Sequence, residues 1–322
     1  MLLAGDIGGT KTLLGLYDGA RPRPREQATR EFATLDHDHL STIVSAFLRD
    51  TGVAPSAIDA ACFGVAGPVI RQTATLTNVP WRIEASEVAS AFGIPHVSLL
   101  NDLEAMASSV PVLTDDELCV LQAGNGATGN VAVIAAGTGL GEALLHRVGD
   151  AFIPSASESG HADFAARTEE EIALLRFLVA RYGRAEVEQV LSGRGLTHIH
   201  QVTHNGPCAA GIDVTEPDAP AAISHAALAR RCDGCVAALD LFVGAYGAEA
   251  GNLALRTLST GGVFVGGGIA RKILPALTTG AFLRAFVAKQ PFESMLRSIK
   301  VAVILNAHTG LLGAAVHAAA DL

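Results

Sequence analysis

Asp6-Ile7-Gly8-Gly9-Thr10-Lys11-Thr12 is the stretch around which the chain is organised. A short apolar run, Leu2-Leu3-Ala4, precedes it and a second, Leu13-Leu14-Gly15-Leu16-Tyr17, follows it. It therefore reads as the turn between adjacent strands. Bare backbone at Gly8 and Gly9 can take positive φ and lets a bulky anion reach main-chain N–H groups. Thr10 and Thr12 add hydroxyl donors, and Asp6 stands at the strand end, placed to hold a metal ion through water. The pattern describes a phosphate cradle with a carboxylate beside it. The same letters also spell an ordinary Gly-Gly hairpin turn, and the stretch taken alone favours neither reading.

The 322 residues suggest about two domains. With 49% hydrophobic and 17% charged residues, the chain can bury sizeable cores, which excludes a disordered class. Aromatics are only 5%, so small residues must do much of the packing in an α/β protein. The net charge of -9 disfavours general affinity for nucleic acid or an anionic membrane, which needs a basic face. With the first strand at Leu2, neither a signal peptide nor an N-terminal DNA-binding module is expected. No apolar run of about 18 residues suggests a membrane span. The five cysteines, Cys62, Cys119, Cys208, Cys232 and Cys235, are an odd number without a secretory signal and read as reduced thiols in the cytoplasm.

Further along, Glu26 to Ala33 reads as a strand and His39 to Leu48 as a helix, with Leu40, Ile43, Val44, Phe47 and Leu48 on one face. Ile58 to Val65 is an apolar strand, Glu84 to Phe92 a helix, and Val97 to Leu100 a short buried strand. That strand delivers Asn101-Asp102 at its carboxyl end, directly before a helix. In open α/β sheets ligands bind at this edge, although Asn and Asp are also ordinary helix caps. Beyond Pro111 the pattern restarts. Strands at Leu118 to Gln122 and Val131 to Ala136 lead into Gly137-Thr138-Gly139-Leu140-Gly141, with strands again at Ala143 to Val148 and Phe152 to Pro154. The echo of residues near 8 by residues near 139 suggests two similar half-domains facing a cleft. Helices dominate from Glu169 to Leu258. A strand at Val263 to Val265 then ends in Gly266-Gly267-Gly268-Ile269, and a last strand and helix close the chain.

Three glycine-rich turns after apolar strands, with a strand-terminal Asn-Asp between the first two, resemble the bacterial ATP-dependent glucokinases of the actin-like (sugar kinase/heat-shock) ATPase superfamily. The resemblance runs over nearly the whole chain. It implies an α/β, two-domain actin-like ATPase (ribonuclease H-like) fold with an interdomain cleft. Residues 1–110 plus 306–322 would form a small domain and 111–305 a large one. It implies ATP-dependent phosphorylation of glucose at the 6-hydroxyl, the first step of glycolysis, by a cytoplasmic homodimer using ATP and Mg2+, with no nucleic-acid or membrane partner. Asp6, Gly8, Gly9, Thr10 and Lys11 correspond to the first phosphate motif, Gly137, Thr138 and Gly139 to the second, and Gly266, Gly267 and Gly268 to the adenosine motif. Asp102 would be the catalytic base. Asn78, Asn101, Glu158, His161 and Glu188 would bind glucose.

The chain departs from the pattern at Lys11. Lys11 stands where many glucokinases carry Asn, and Asp-Ile-Gly-Gly-Thr-Lys is more typical of the related ROK (repressor/ORF/kinase) family. ROK proteins also share Glu-x-Gly-His, but the cysteine-rich zinc motif they usually carry does not follow His161 here. A kinase of another hexose or N-acetyl-hexosamine is the neighbouring reading. An actin-like ATPase without a sugar site and a sugar-responsive regulator are more distant ones. Cys232 and Cys235 form a CxxC, but the sequence supplies no second CxxC beside it, so core packing is expected and no metal ligand is assigned.

Overall fold

The computed structural model describes residues 1–76, 79–204 and 206–322. In chain order the elements are β1 (Leu2–Ile7), β2 (Lys11–Tyr17), β3 (Glu26–Ala33), α1 (Leu40–Thr51), β4 (Ala60–Val65), β5 (Val69–Ile70), β6 (Thr73–Thr75), β7 (Arg82–Glu84), α2 (Ala85–Phe92), β8 (His96–Asn101) and α3 (Asp102–Ser109). There follow β9 (Leu118–Gln122), β10 (Val131–Ala136), β11 (Leu140–Val148), β12 (Ala151–Ser157), α4 (Glu169–Tyr182), α5 (Gly193–Thr203), α6 (Ala219–Leu228) and α7 (Asp233–Thr257). The chain closes with β13 (Gly262–Gly266), α8 (Gly267–Lys272), α9 (Leu274–Leu277), α10 (Ala281–Val287), α11 (Glu293–Arg297), β14 (Val301–Ile304) and α12 (Thr309–Ala320).

Two compact units result. One comprises Met1–Thr114, Val148–Ala156 and His308–Leu322, the other Asp115–Arg147 and Ser157–Ala307. The main sheets repeat one plan. One is ordered β3-β2-β1-β4-β8 and the other β12-β11-β10-β13-β14, with β9 added at the edge. β1 pairs antiparallel with β2 and parallel with β4, and β4 runs parallel to β8. β10 likewise pairs antiparallel with β11 and parallel with β13, which runs parallel to β14. The echo of glycine turns in sequence is thus matched by an echo of strand order. In each sheet the first glycine turn joins the central strand to its antiparallel neighbour.

Local chemistry sets the element ends. The periodic apolar residues of α1 (Leu40, Ile43, Val44, Phe47 and Leu48) are buried, and the helix stops at Gly52, whose φ of 70° is readily adopted only without a Cβ. Thr168 caps α4 by accepting the N–H of Glu171 at 3.3 Å, and Ser192 caps α5 through Gly195 at 3.0 Å. α7 draws on small residues. Ala238, Ala245, Gly247, Ala250, Gly251 and Ala254 are among its buried positions, and α10 packs closely against it. The fully buried Phe242, Phe282 and Phe286 each contribute roughly 1.5–3 kcal/mol by leaving water.

Candidate active site

In the first unit the turn after β1 is tightly internal. The Gly8 N–H donates to the Lys11 carbonyl at 2.9 Å, and the Thr34 hydroxyl donates to the Gly8 carbonyl at 2.9 Å. Thr12 faces the interior, fully buried, with its hydroxyl 2.9 Å from that of Thr34. This corrects the sequence expectation that Thr12 offers a hydroxyl to an anion: it rivets the turn instead. Thr10 is exposed, and Lys11 is exposed and paired with Glu31 at 2.7 Å. Gly8 lies outside the left-handed region, so its lack of a Cβ serves close approach rather than unusual φ. Asp6 sits at the end of β1. Burial pushes its carboxyl above the usual range, and the charge of His308 opposes this.

Asp102 is the first residue of α3 and follows β8 directly. Its Oδ1 accepts the Leu103 N–H at 2.9 Å. Asn101 caps the helix: Oδ1 accepts from Leu103 at 3.0 Å, and its own backbone N–H donates to Glu104 Oε2 at 3.0 Å. Its Nδ2 donates to the Gly67 carbonyl at 3.1 Å, leaving a second N–H on that amide. Asp102 and Asn101 are therefore positioned by a capped helix start. Asn78 lies outside the described residues.

In the second unit the predicted segments converge. Residues 160 to 164 run alongside 185 to 188: the Glu188 N–H donates to the Gly160 carbonyl at 2.8 Å, Val187 to Ala162 at 3.0 Å and Phe164 to Ala185 at 2.9 Å. This ladder brings Glu158 and His161, both exposed, beside Glu188. Glu188 Oε2 accepts the Leu140 N–H at 3.0 Å, and Arg194 lies 3.6 Å from Oε1. A Cβ on Gly139 would come within 2.5 Å of Glu188 Oε2, so glycine there makes room for the carboxylate. The Gly193 N–H donates to the Gly137 carbonyl at 2.9 Å, fastening the other end of the turn. Thr138, at the turn's tip, is exposed.

The third glycine run joins the same neighbourhood. Gly267 has φ of +84°, and a Cβ there would fall 2.3 Å from the Ala136 carbonyl oxygen, so both backbone shape and space demand glycine. Gly266 ends β13, and Gly268 lies in the first turn of α8 with open space where a Cβ would be. Tyr246, fully buried on α7, receives the Ala136 N–H on its hydroxyl at 3.1 Å and lies 3.3 Å from the Ile134 carbonyl and 3.4 Å from that of Gly266. One hydroxyl thereby ties the ends of β10 and β13, each of which launches a glycine turn.

Two contributors have no sequence motif of their own. Tyr246 reads in sequence only as part of an apolar helix. Glu186 binds His161 Nδ1 at 2.8 Å and, with this bond as the main cause, raises the imidazole's affinity for its proton. Arg184 donates to the His161 carbonyl at 2.5 Å and pairs with Glu186 at 2.9 Å. Two residues before the carboxylate that the motif singles out, Glu186 is the residue that orients the imidazole. The assembled groups suit two ligand chemistries: bare backbone for a phosphate chain, and carboxylates with an imidazole for a polyol.

The family model described as Glucokinase matches residues 3–321. A glucokinase of Trichormus variabilis is 39% identical over 339 aligned positions, covering 99% of each chain. The crystal structure of a glucokinase from an Antarctic psychrotroph superposes with a TM-score of 0.85 at 28% identity, covering 98% of each chain. A ROK family glucokinase from Streptomyces griseus, solved with glucose and AMPPNP, shares the fold at a TM-score of 0.64 and 24% identity over 98% of each chain. By sequence over its whole length and by fold, the chain belongs to the glucokinase family.

Proposed function

We propose that the chain transfers the γ-phosphoryl group of ATP to the 6-hydroxyl of glucose, with Asp102 as the base. The observation that carries this reading is the placement of Asp102: a carboxylate on the first turn of a capped helix, at the carboxyl end of a parallel strand. Phosphoryl transfer passes through a loose transition state, so positioning and charge neutralisation dominate catalysis. Asp102 accepts a hydrogen bond from the attacking hydroxyl and takes its proton as the oxygen–phosphorus bond forms. In the second unit Glu158, His161 and Glu188 supply groups suited to sugar hydroxyls, and in the first unit Asn101 stands next to Asp102.

The residues also fit the nucleotide. Gly139 and Gly267 let the Glu188 carboxylate and the Ala136 carbonyl approach closely and so shape the second and third turns, while in the first turn the main-chain N–H groups of Gly9 and Thr10 are the donors for phosphate oxygens. Mg2+ would be held mainly by the ATP phosphates, with Asp6 nearby through water, and would spread the charge of the phosphate oxygens. At the tip of the second turn the exposed Thr138 offers its hydroxyl. The protein's location is the cytoplasm and its assembly a homodimer. Among the described residues, no helix is long and apolar enough to cross a membrane. Light scattering after gel filtration tests the dimer.

The decisive test is Asp102→Asn. Turnover should fall about 10²–10⁴-fold, the span of general-base contributions, while glucose affinity by calorimetric titration changes only a few-fold. Turnover near that of the unaltered enzyme would remove Asp102 from the mechanism.

A further inference from the structure

Away from these loops, the second unit gathers an unexpected set of soft and imidazole donors. His200 and His204 lie one turn apart at the end of α5, Cys208 on the loop beyond, and Cys232 and Cys235 at the start of α7. One donor atom from each of His200, His204, Cys208 and Cys235 lies within 4.8 Å of all the others. Cys208 Sγ is 3.7 Å from Cys235 Sγ and 3.8 Å from Cys232 Sγ, and His204 Nε2 is 3.3 Å from Cys232 Sγ. Around a tetrahedral zinc ion with bonds of about 2.3 Å to sulfur, two thiolates stand about 3.8 Å apart. The thiol spacing already matches.

Three further features point to a ligand rather than to packing. The His200 side chain is only 5% exposed, and its Nε2 is buried with no hydrogen-bond partner. A buried imidazole nitrogen left alone is costly, and a metal ion satisfies it. The His204 Nδ1–H donates to the His200 carbonyl at 2.8 Å, which fixes the tautomer and turns the Nε2 lone pair towards the thiols. Such a second bond is how metal-ligating histidines are oriented. Finally, a Cβ on Gly234 would lie 2.4 Å from His204 Nε2, so the glycine inside Cys232-Asp233-Gly234-Cys235 lets the imidazole reach this position.

We propose that this chain holds one zinc ion through His200, His204, Cys208 and Cys235, with Cys232 against the same cluster. Four protein donors close the coordination shell, so the ion is structural. It clamps the end of α5 and the loop after it to the first turn of α7. The sequence shows only the CxxC. Its partners sit 24 to 35 residues earlier, a separation counted from Cys235 back to His200 and from Cys232 back to Cys208.

The test is elemental analysis of the full-length, untagged chain purified without chelator. It should contain one zinc per chain, and the Cys208→Ser, Cys235→Ser double variant should contain none. Cobalt exchanged into the unaltered chain should give the intense visible bands of a tetrahedral thiolate site, and chelator should lower its melting temperature by several degrees. A metal-free chain from zinc-supplemented cells that gains no cobalt bands would overturn the proposal, whether or not the variant folds. So would an intact mass two hydrogens light without zinc, which would show a disulfide in place of the site.

Discussion

The Glu188 carboxylate accepts the backbone N–H of Leu140 at 3.0 Å, across the space left by Gly139. A residue expected to touch only sugar thus also supports the turn expected to hold phosphate. Glu188→Ala should therefore raise the KM for both glucose and ATP, each by about tenfold to a hundredfold, the worth of a charge-assisted bond. Gly139→Ala displaces the same carboxylate and should give the same pattern. The double variant should be no worse than the poorer single one, because the two residues act as a unit. Steady-state kinetics decides, and an effect on glucose alone would separate the carboxylate from the turn.

Tyr246→Phe keeps the ring and removes the hydroxyl that the Ala136 N–H donates to. A buried donor left unpaired costs about 1–3 kcal/mol. Calorimetry should show a melting temperature lower by several degrees, and the KM for ATP should rise, since both glycine turns lose their common tie. An unchanged melting temperature would show that the hydroxyl is not structural.

Glu142 on β11 is fully buried, and both carboxylate oxygens are sealed from water. Burial, then the nearby charge of Glu249, pushes its pKa up to about 8, with Arg256 at 3.6 Å opposing. The folded chain therefore keeps a proton that the unfolded chain has already lost. Stability present below the ordinary value of 4.5 should drain away as pH rises to about 8. Melting temperatures measured from pH 5 to about pH 9 should fall in the unaltered chain. Glu142→Gln should flatten that slope, and equal slopes would refute the assignment.

His161 is half exposed, yet its bond to Glu186 holds the proton above the ordinary value of 6.5. Glu188 and Glu158 add in the same direction. Glu186→Gln should move the inflection of the glucose KM to lower pH without altering the profile for ATP. An inflection that stays in place would mean that the imidazole does not meet the sugar.

Much of this architecture was legible because each glycine turn follows an apolar strand, a pattern that survives without any tertiary knowledge. The helix start at Asn101-Asp102 was equally plain, because Asn and Asp directly after an apolar strand are ordinary helix caps. Thr12 was misjudged because its neighbours suggested a donor cluster, whereas in the fold its hydroxyl meets Thr34, 22 residues away. β11 begins at Leu140 rather than near Ala143, since Leu140 and Gly141 look like turn residues until their pairing with β10 is known. Glu186 and Tyr246 act through partners distant in sequence, and periodicity carries no sign of them. The thiol and imidazole cluster was hidden for the same reason, its halves separated by α6.

α12 packs on α3, β1 and β4, and its Leu311, Ala314, Ala315 and Ala318 share one apolar cluster with Leu2, Ala4, Cys62 and Leu100. The sheet that carries Asp6 and leads into Asp102 therefore has part of one face uncovered until a segment made long after it arrives. The first unit is therefore completed only when the C-terminal segment His308–Leu322 joins it. A chain stopped upstream of Thr309 would leave Leu2, Ala4, Cys62 and Leu100 without the apolar partners that α12 supplies.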